Sequence, residues 1–131
     1  MNSEFSKVKK YLLDLGYEVE YENEHEGVFV IHNEETGVNK MVLGCADPLL
    51  IMEQFICEVK NESIDTYKML LQKNRDIIHG AFVLDSTGKR IIFRDTLQLS
   101  SLDLNELEAA FNSLGLLLSE FSDQIIKISK G

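Results

Sequence analysis

The residues of this chain whose types and spacing could do chemistry gather around one apolar segment, HGAFVLDSTGKRIIFRDT, from His79 to Thr96. Two paired strands there would set His79 and Asp95 toward the strand ends, where a His–Asp pair can act as an acid/base unit. The surroundings give that pair little to act with. The sequence has no activated nucleophile motif, no glycine-rich phosphate loop and no HExxH or comparable metal signature. Asp85 suits the start of a turn, and Arg94 with Asp95 suits a strand-end ion pair. Cys45 and Cys57 are not a CxxC pair and have no histidine at ligand spacing. They read as reduced, buried small hydrophobes rather than a disulfide or a zinc site. His25 and His32 fall at loop and strand-end positions and read as surface side chains. The expectation is a protein that is not an enzyme and needs no cofactor or metal.

Two other groups could recognise a partner. Glu18, Glu20, Glu22, Glu24 and Glu26 alternate along an N-terminal segment and could form an acidic rim for a basic polypeptide. The same carboxylates also suit a solvated strand edge that charge keeps from aggregating. They do not suit calcium, because alternating strand carboxylates diverge. Asn74 and Arg75 close a helix, where asparagine tolerates left-handed backbone and arginine can bond the last carbonyls. Their functional alternative is to orient a partner's carboxylate or backbone near the hairpin.

The elements that must position these residues follow from periodicity. Ser3 can cap a first helix with Phe5, Val8, Leu12 and Leu15 on one face, stopped by Gly16. Tyr17, Val19 and Tyr21 alternate with Glu18, Glu20 and Glu22, which reads as a half-exposed strand with an acidic outer face. Strands at Val28–His32 and Val38–Leu43 flank a turn from Asn33 to Gly37. Leu49–Val59 fits a strand better than a short helix, since Gly44 and Pro48 punctuate its start. Asn61 or Ser63 opens a second helix that carries Ile64, Tyr67, Leu70 and Leu71 and ends near Asn74. The hairpin follows, with strands His79–Asp85 and Arg90–Thr96. Gly88 supplies the positive φ that so short a connection needs. Both faces of this pair are apolar in the middle, as expected of strands covered on each side or central in a sheet. Asp103 then caps a long helix, with Glu106 at capping-box spacing. Leu104, Leu107, Phe111, Leu114, Leu118, Phe121, Ile125 and Ile128 form one continuous stripe along it. Leu116, Leu117 and Ile126 widen that stripe, which makes Phe111, Leu114, Leu118, Phe121 and Ile125 candidates for a dimer or peptide interface.

Length and charge bound the function. The 131 residues make one domain with room for a core. A net charge of −9 argues against nucleic acid and against anionic membrane surfaces, both of which require clustered lysine and arginine. The N-terminus lacks the apolar core and cleavage site of a secretory signal, and no apolar run approaches a membrane span. The cytoplasm is the expected compartment.

The order α-β-β-β(-β)-α-β-β-α predicts an α+β fold, with helices packed on one side of a curved antiparallel sheet. That order, and the segment LLQKNRDIIHGAFVLDSTGKRIIFRDTLQLSSLDLNELEAAFNSL from Leu70 to Leu114, resemble the type III secretion chaperone-like fold. Within it the chain is most similar to the YbjN-like, Tir-chaperone-related proteins. Asn74 and Arg75 match a helix-ending Asn-Arg pair, and Gly80, Ala81 and Phe82 match the strand that follows. The C-terminal half carries the match, and the N-terminal half adds mainly element order. The resemblance implies a non-enzymatic homodimer that binds an extended segment of a protein client, or a regulatory scaffold that kept the fold and self-associates.

Overall fold

The computed structural model describes residues 3–60 and 62–130. Among them the elements run α1 (Ser3–Asp14), β1 (Glu18–Asn23), β2 (Val28–Asn33), β3 (Val38–Ala46), β4 (Leu49–Glu58), α2 (Ile64–Asn74), β5 (Ala81–Leu84), β6 (Arg90–Gln98), α3 (Leu104–Glu120) and α4 (Ser122–Lys130). The strands form one antiparallel six-stranded sheet in the order β1-β2-β3-β4-β6-β5. This is the α+β architecture the sequence predicts, and Leu49–Glu58 is the strand expected there.

One face of the sheet carries the core. Phe29, Ile31, Met41, Leu43, Leu50, Met52, Ile91 and Phe93 are buried on it, and directly opposed residues share a face. Helix α1 sends Phe5, Val8 and Leu12 onto this face, and the Phe5 and Phe29 rings stack at 4.2 Å. Helix α3 adds Leu107, Ala110, Phe111, Leu114 and Leu117. The Phe111 ring lies 4.3 Å from that of Tyr17, whose hydroxyl donates to Thr36 Oγ1. The opposite face has no comparable cover: Val42 and Phe55 are exposed there, and Val30, Ile51 and Ile92 are half-buried. The hairpin is therefore not covered on both sides, and of its two strands β6 lies inside the sheet, between β4 and β5. Strand β5 is a sheet edge, and the second apolar face of β5 and β6 belongs to the open surface.

Other departures are local. The long C-terminal helix breaks at Phe121, whose φ of −113° and ψ of 19° leave the helical region, so the stripe divides between α3 and α4. In β1 a bulge between Val19 and Tyr21 shifts the register. Tyr21 is thereby turned to the open face opposite Val30, and Glu22 to the helix side opposite Phe29. Asp103 caps α3 by accepting from the Glu106 N–H, and Ser63 caps α2 by accepting from Thr66. The alternative start at Asn61 lies outside the described residues, and Ser3 lies within α1 rather than before it.

Two side-chain amides take the place of missing strand. Where β3 leaves its ladder near Asn39, the buried Gln54 of β4 accepts from the Asn39 N–H and donates to the Gly37 carbonyl. At the outer edge of β5, Asn74 accepts from the Phe82 N–H and donates to the Phe82 carbonyl, as a neighbouring strand would.

The β2–β3 turn rests on α3 at Gly115, where an added Cβ would lie 2.8 Å from the Thr36 carbonyl oxygen. Backbone cannot yield as a side chain tip does. The overpacking cost of about 1–3 kcal/mol outweighs the gain of about 1 kcal/mol that alanine brings to a helix. Gly115→Ala should therefore lower stability by up to about 2 kcal/mol in chemical denaturation. Gly44→Ala, where a Cβ meets nothing within 4 Å, should leave it nearly unchanged. Equal losses at the two sites would refute this account of the turn.

Candidate functional site

The structure divides the hairpin candidates: Asp95 lies near His79, while Asp85 and Arg94 take other partners. Neighbouring strand residues face opposite sides, so Arg94 and Asp95 cannot pair. Arg94 instead reaches across the open face to Glu53, Nη1 to Oε2 at 2.6 Å, which corrects the expected strand-end ion pair. Asp85 does start the turn, accepting from the Thr87 N–H and hydroxyl, and the Thr87 bond holds its carboxyl below the usual range. Asp95 faces the helix side opposite Met52. Its Oδ1 accepts from the Thr96 N–H, while Oδ2 is buried without a hydrogen-bond partner. Desolvation raises its pKa, and the Thr96 bond and, less, the nearby His79 only partly offset this.

The cysteines are free thiols, buried at Cys57 and partly so at Cys45. Burial, aided by the Glu4 carboxylate, pushes Cys45 up to about 11, and burial also raises Cys57, so both are poor nucleophiles near neutral pH. Among the described residues no group of three or more His, Cys, Asp or Glu is placed to hold a metal ion, and no helix is long and apolar enough to cross a membrane.

The partner-recognition candidates disperse. Glu22 pairs with Lys9 at 3.0 Å on the helix side, Glu20 approaches Lys40 at 4.0 Å, and Glu18 lies opposite His32 on the open face. The bulge in β1 thus prevents a single acidic face, because it flips the side to which later residues point. Asn74 binds backbone near the hairpin, but the backbone of its own chain. Arg75 is exposed at the end of α2 in right-handed helical conformation, so neither residue uses the left-handed cap. On the long stripe, Phe111 and Leu114 lie wholly inside the core, which corrects their reading as interface. Leu118, Phe121 and Ile125 are half-buried against that core.

Surfaces that periodicity missed stand elsewhere. Helix α2 has Leu70 as its buried residue, while Ile64 is 83% and Leu71 71% exposed. Tyr67, Leu70 and Leu71 face Phe82 and Leu84 of β5 across an apolar groove of about 240 Å³. A second groove of about 270 Å³ separates α3 from the connector between α2 and β5; Ile77, Ile78, Leu116 and Leu117 line it. Gly80 ends this connector at a φ of +87°, and a Cβ there would strike the Phe93 ring. Ile78 gives no sequence signal because it lies between elements, where periodicity does not reach.

With this geometry in place, the CesT_Tir_1 family model matches residues 1–131. The chain belongs to the CesT_Tir_1 family. Solved structures agree with this member's fold. A chain of the HopA1–SchA chaperone–effector complex superposes with a TM-score of 0.63 at 9% identity, covering 96% of this chain and 92% of that one. YbjN from E. coli, described as a putative transcription regulator, gives 0.67 at 13% identity, covering 92% of each chain. The structure of the Yersinia pestis type III secretion chaperone SycH with a fragment of YscM2 gives 0.60 at 14%, covering 97% of this chain and all of the matched one (100%). No curated protein matches the sequence. The fold of this CesT_Tir_1 member is that of type III secretion chaperones and of YbjN.

Asp95 offers a test of the electrostatics. A carboxyl with a raised folded-state pKa binds its proton more tightly in the native protein. Stability should therefore fall as pH rises from the unfolded value of 3.8 through the folded one. Asp95→Asn keeps the acceptor for Thr96 and removes the charge from the buried position. Its thermal midpoint should exceed the parent's at pH 7 and converge with it near pH 3. A lower midpoint at pH 7 would mean that the carboxylate has a partner.

Proposed function

We propose that the chain is a non-enzymatic, cytoplasmic, single-domain chaperone that acts as a homodimer and holds an extended segment of a client protein. The observation that carries this reading is coverage: the family match spans the whole chain, and the same fold occurs in a chaperone–effector complex and in a secretion chaperone bound to a fragment of another protein. The open sheet face and the two apolar grooves are the kind of surface such a role needs, since exposed contiguous apolar area marks protein contacts. Asp85 is taken up by its own turn and Arg94 by Glu53, and the neighbouring His79 and Asp95 have no nucleophile motif beside them, which gives no support to catalysis. For self-association the surface that fits best is α2 with the β5 edge, where Leu71 and Leu84 line one groove and Ile64 of the same helix is also exposed. A two-fold contact there would be self-complementary.

A regulatory scaffold is the second reading, favoured by the likeness to YbjN. The two differ in what they hold. Affinity capture from the native cell extract should recover one client in stoichiometric amount, and truncation should map retention to an extended segment. Recovery of a folded partner, or of the bait alone, would replace the chaperone by the scaffold. For the dimer, light scattering should give twice the chain mass, and Leu71→Asp should give the single mass with an unchanged circular dichroism spectrum. A parent protein that is strictly monomeric would end the dimer proposal.

A further inference from the structure

We propose that the groove between α3 and the Asp76–His79 connector receives an aliphatic side chain of the client segment, flanked there by lysine or arginine. This rests on the chaperone reading and adds to it a site and a residue chemistry.

About 270 Å³ lies at the lower edge of the roughly 300–1,000 Å³ in which small-molecule sites fall, and is ample for one or two side chains. The walls select apolar ones. Ile78 projects from the connector at 89% exposure and Leu116 from α3 at 61%, with Ile77 and Leu117 also in the lining. Both walls are present before any ligand arrives, α3 packed into the core and the connector held more lightly by hydrogen bonds. The Ser113 hydroxyl donates to the His79 carbonyl at 2.9 Å and ties the connector to α3, and the Ile77 N–H bonds the Asn74 carbonyl.

Charge decides what flanks the aliphatic group. Asp76 and Glu120 contribute carboxylates to the lining, and no lysine or arginine does. The nearby ammonium of Lys73 is engaged over the Phe121 ring at 4.7 Å. The remaining titratable group is His79, which interacts with Asp95. With a net charge of −9 on the chain, an acidic segment is repelled and a basic one attracted.

Backbone geometry decides the mode. A strand added alongside would need free donors and acceptors, but Asn74 fills those of Phe82 and Ser113 fills the His79 carbonyl. Entry by a side chain needs neither. A second copy of this chain could offer Ile126 beside Lys127, and the test distinguishes that occupant.

The test is a nuclear magnetic resonance titration of the isotope-labelled full chain with two synthetic peptides. They share length and a central isoleucine, flanked in one by lysines and in the other by glutamates. The lysine peptide should shift the signals of Asp76 to His79 and Leu116 to Phe121, and bind at least about tenfold more tightly, the difference shrinking as salt screens it. Asp76→Asn with Glu120→Gln should erase the preference. Ile78→Ser, at a position too exposed to support the core, should abolish binding of both peptides. Equal affinities, no shifts with either peptide, or shifts confined to the open sheet face would overturn the proposal. So would concentration-dependent shifts at the groove in the protein alone that Ile126→Ser removes, since they make a second copy the occupant. Retention of a captured client by Ile78→Ser with Leu116→Ser defeats the groove while leaving the chaperone reading intact. Selective lysine-peptide binding with no client recovered does the reverse.

Discussion

The constraint on which the rest of this structure depends is that the sheet buries one face only. In a pleated strand, alternate residues point to opposite sides. Once Phe29, Ile31, Met41, Leu43, Leu50, Met52 and Phe93 are fixed against the helices, every intervening residue is committed to the other side. Helices α1 and α3 supply the large apolar groups that cover the first side. The second side keeps Val42 and Phe55 in the open and joins β4 to β6 with the Glu53–Arg94 pair. As an exposed ion pair this contributes little stability, on the order of 0–1 kcal/mol, but it keeps charge within an otherwise apolar surface. The uncovered face follows from having one helical layer, and does not by itself require a ligand.

Sheet edges and irregularities impose a second constraint, because buried backbone polar groups must find partners. Gln54 and Asn74 meet it in the same way, each presenting a side-chain amide as though it were a strand. Each bond contributes about 0.5–1.5 kcal/mol net, while a buried group left unpaired costs about 1–3 kcal/mol. The larger number decides: these residues prevent a penalty more than they add stability. Asn74 also narrows function, since the position it occupies on β5 is one through which another strand would pair.

What was legible in the sequence was what periodicity and punctuation encode. Phe5, Val8 and Leu12 revealed α1, Asp103 revealed the start of α3, and the turn around Gly88 revealed the hairpin. Features that depend on partners distant in sequence were not legible. Leu104 to Ile128 keeps its spacing across the break at Phe121, and periodicity records where apolar residues fall, not whether the backbone stays helical between them. The apolar middle of the hairpin suggested cover on both sides, although the number of helices available to cover it is a property of the whole fold. The alternating glutamates suggested one acidic face, and a bulge between Val19 and Tyr21 dispersed them. Asn74 was recognised as a special position, but its bonds to Phe82 require the strand to be already in place.

The unabsorbed apolar residues concentrate where the chain is least anchored. Helix α2 has Leu70 as its buried residue, supplemented by the Asn74 bonds and by Lys73 over the Phe121 ring. The connector after it is held through Ser113 and the tight fit of Gly80 on Phe93. Segments with few buried contacts open at lower free energy than the core, and surfaces built on them can repack around different partners. Ile64, Leu71 and Ile78 all lie in this stretch, whereas α3, which forms the facing wall of the groove, is fixed by Leu107, Phe111 and Leu114. One rigid wall and one adaptable wall suit recognition of side-chain type better than transition-state chemistry, for which every group must be held within a fraction of an ångström.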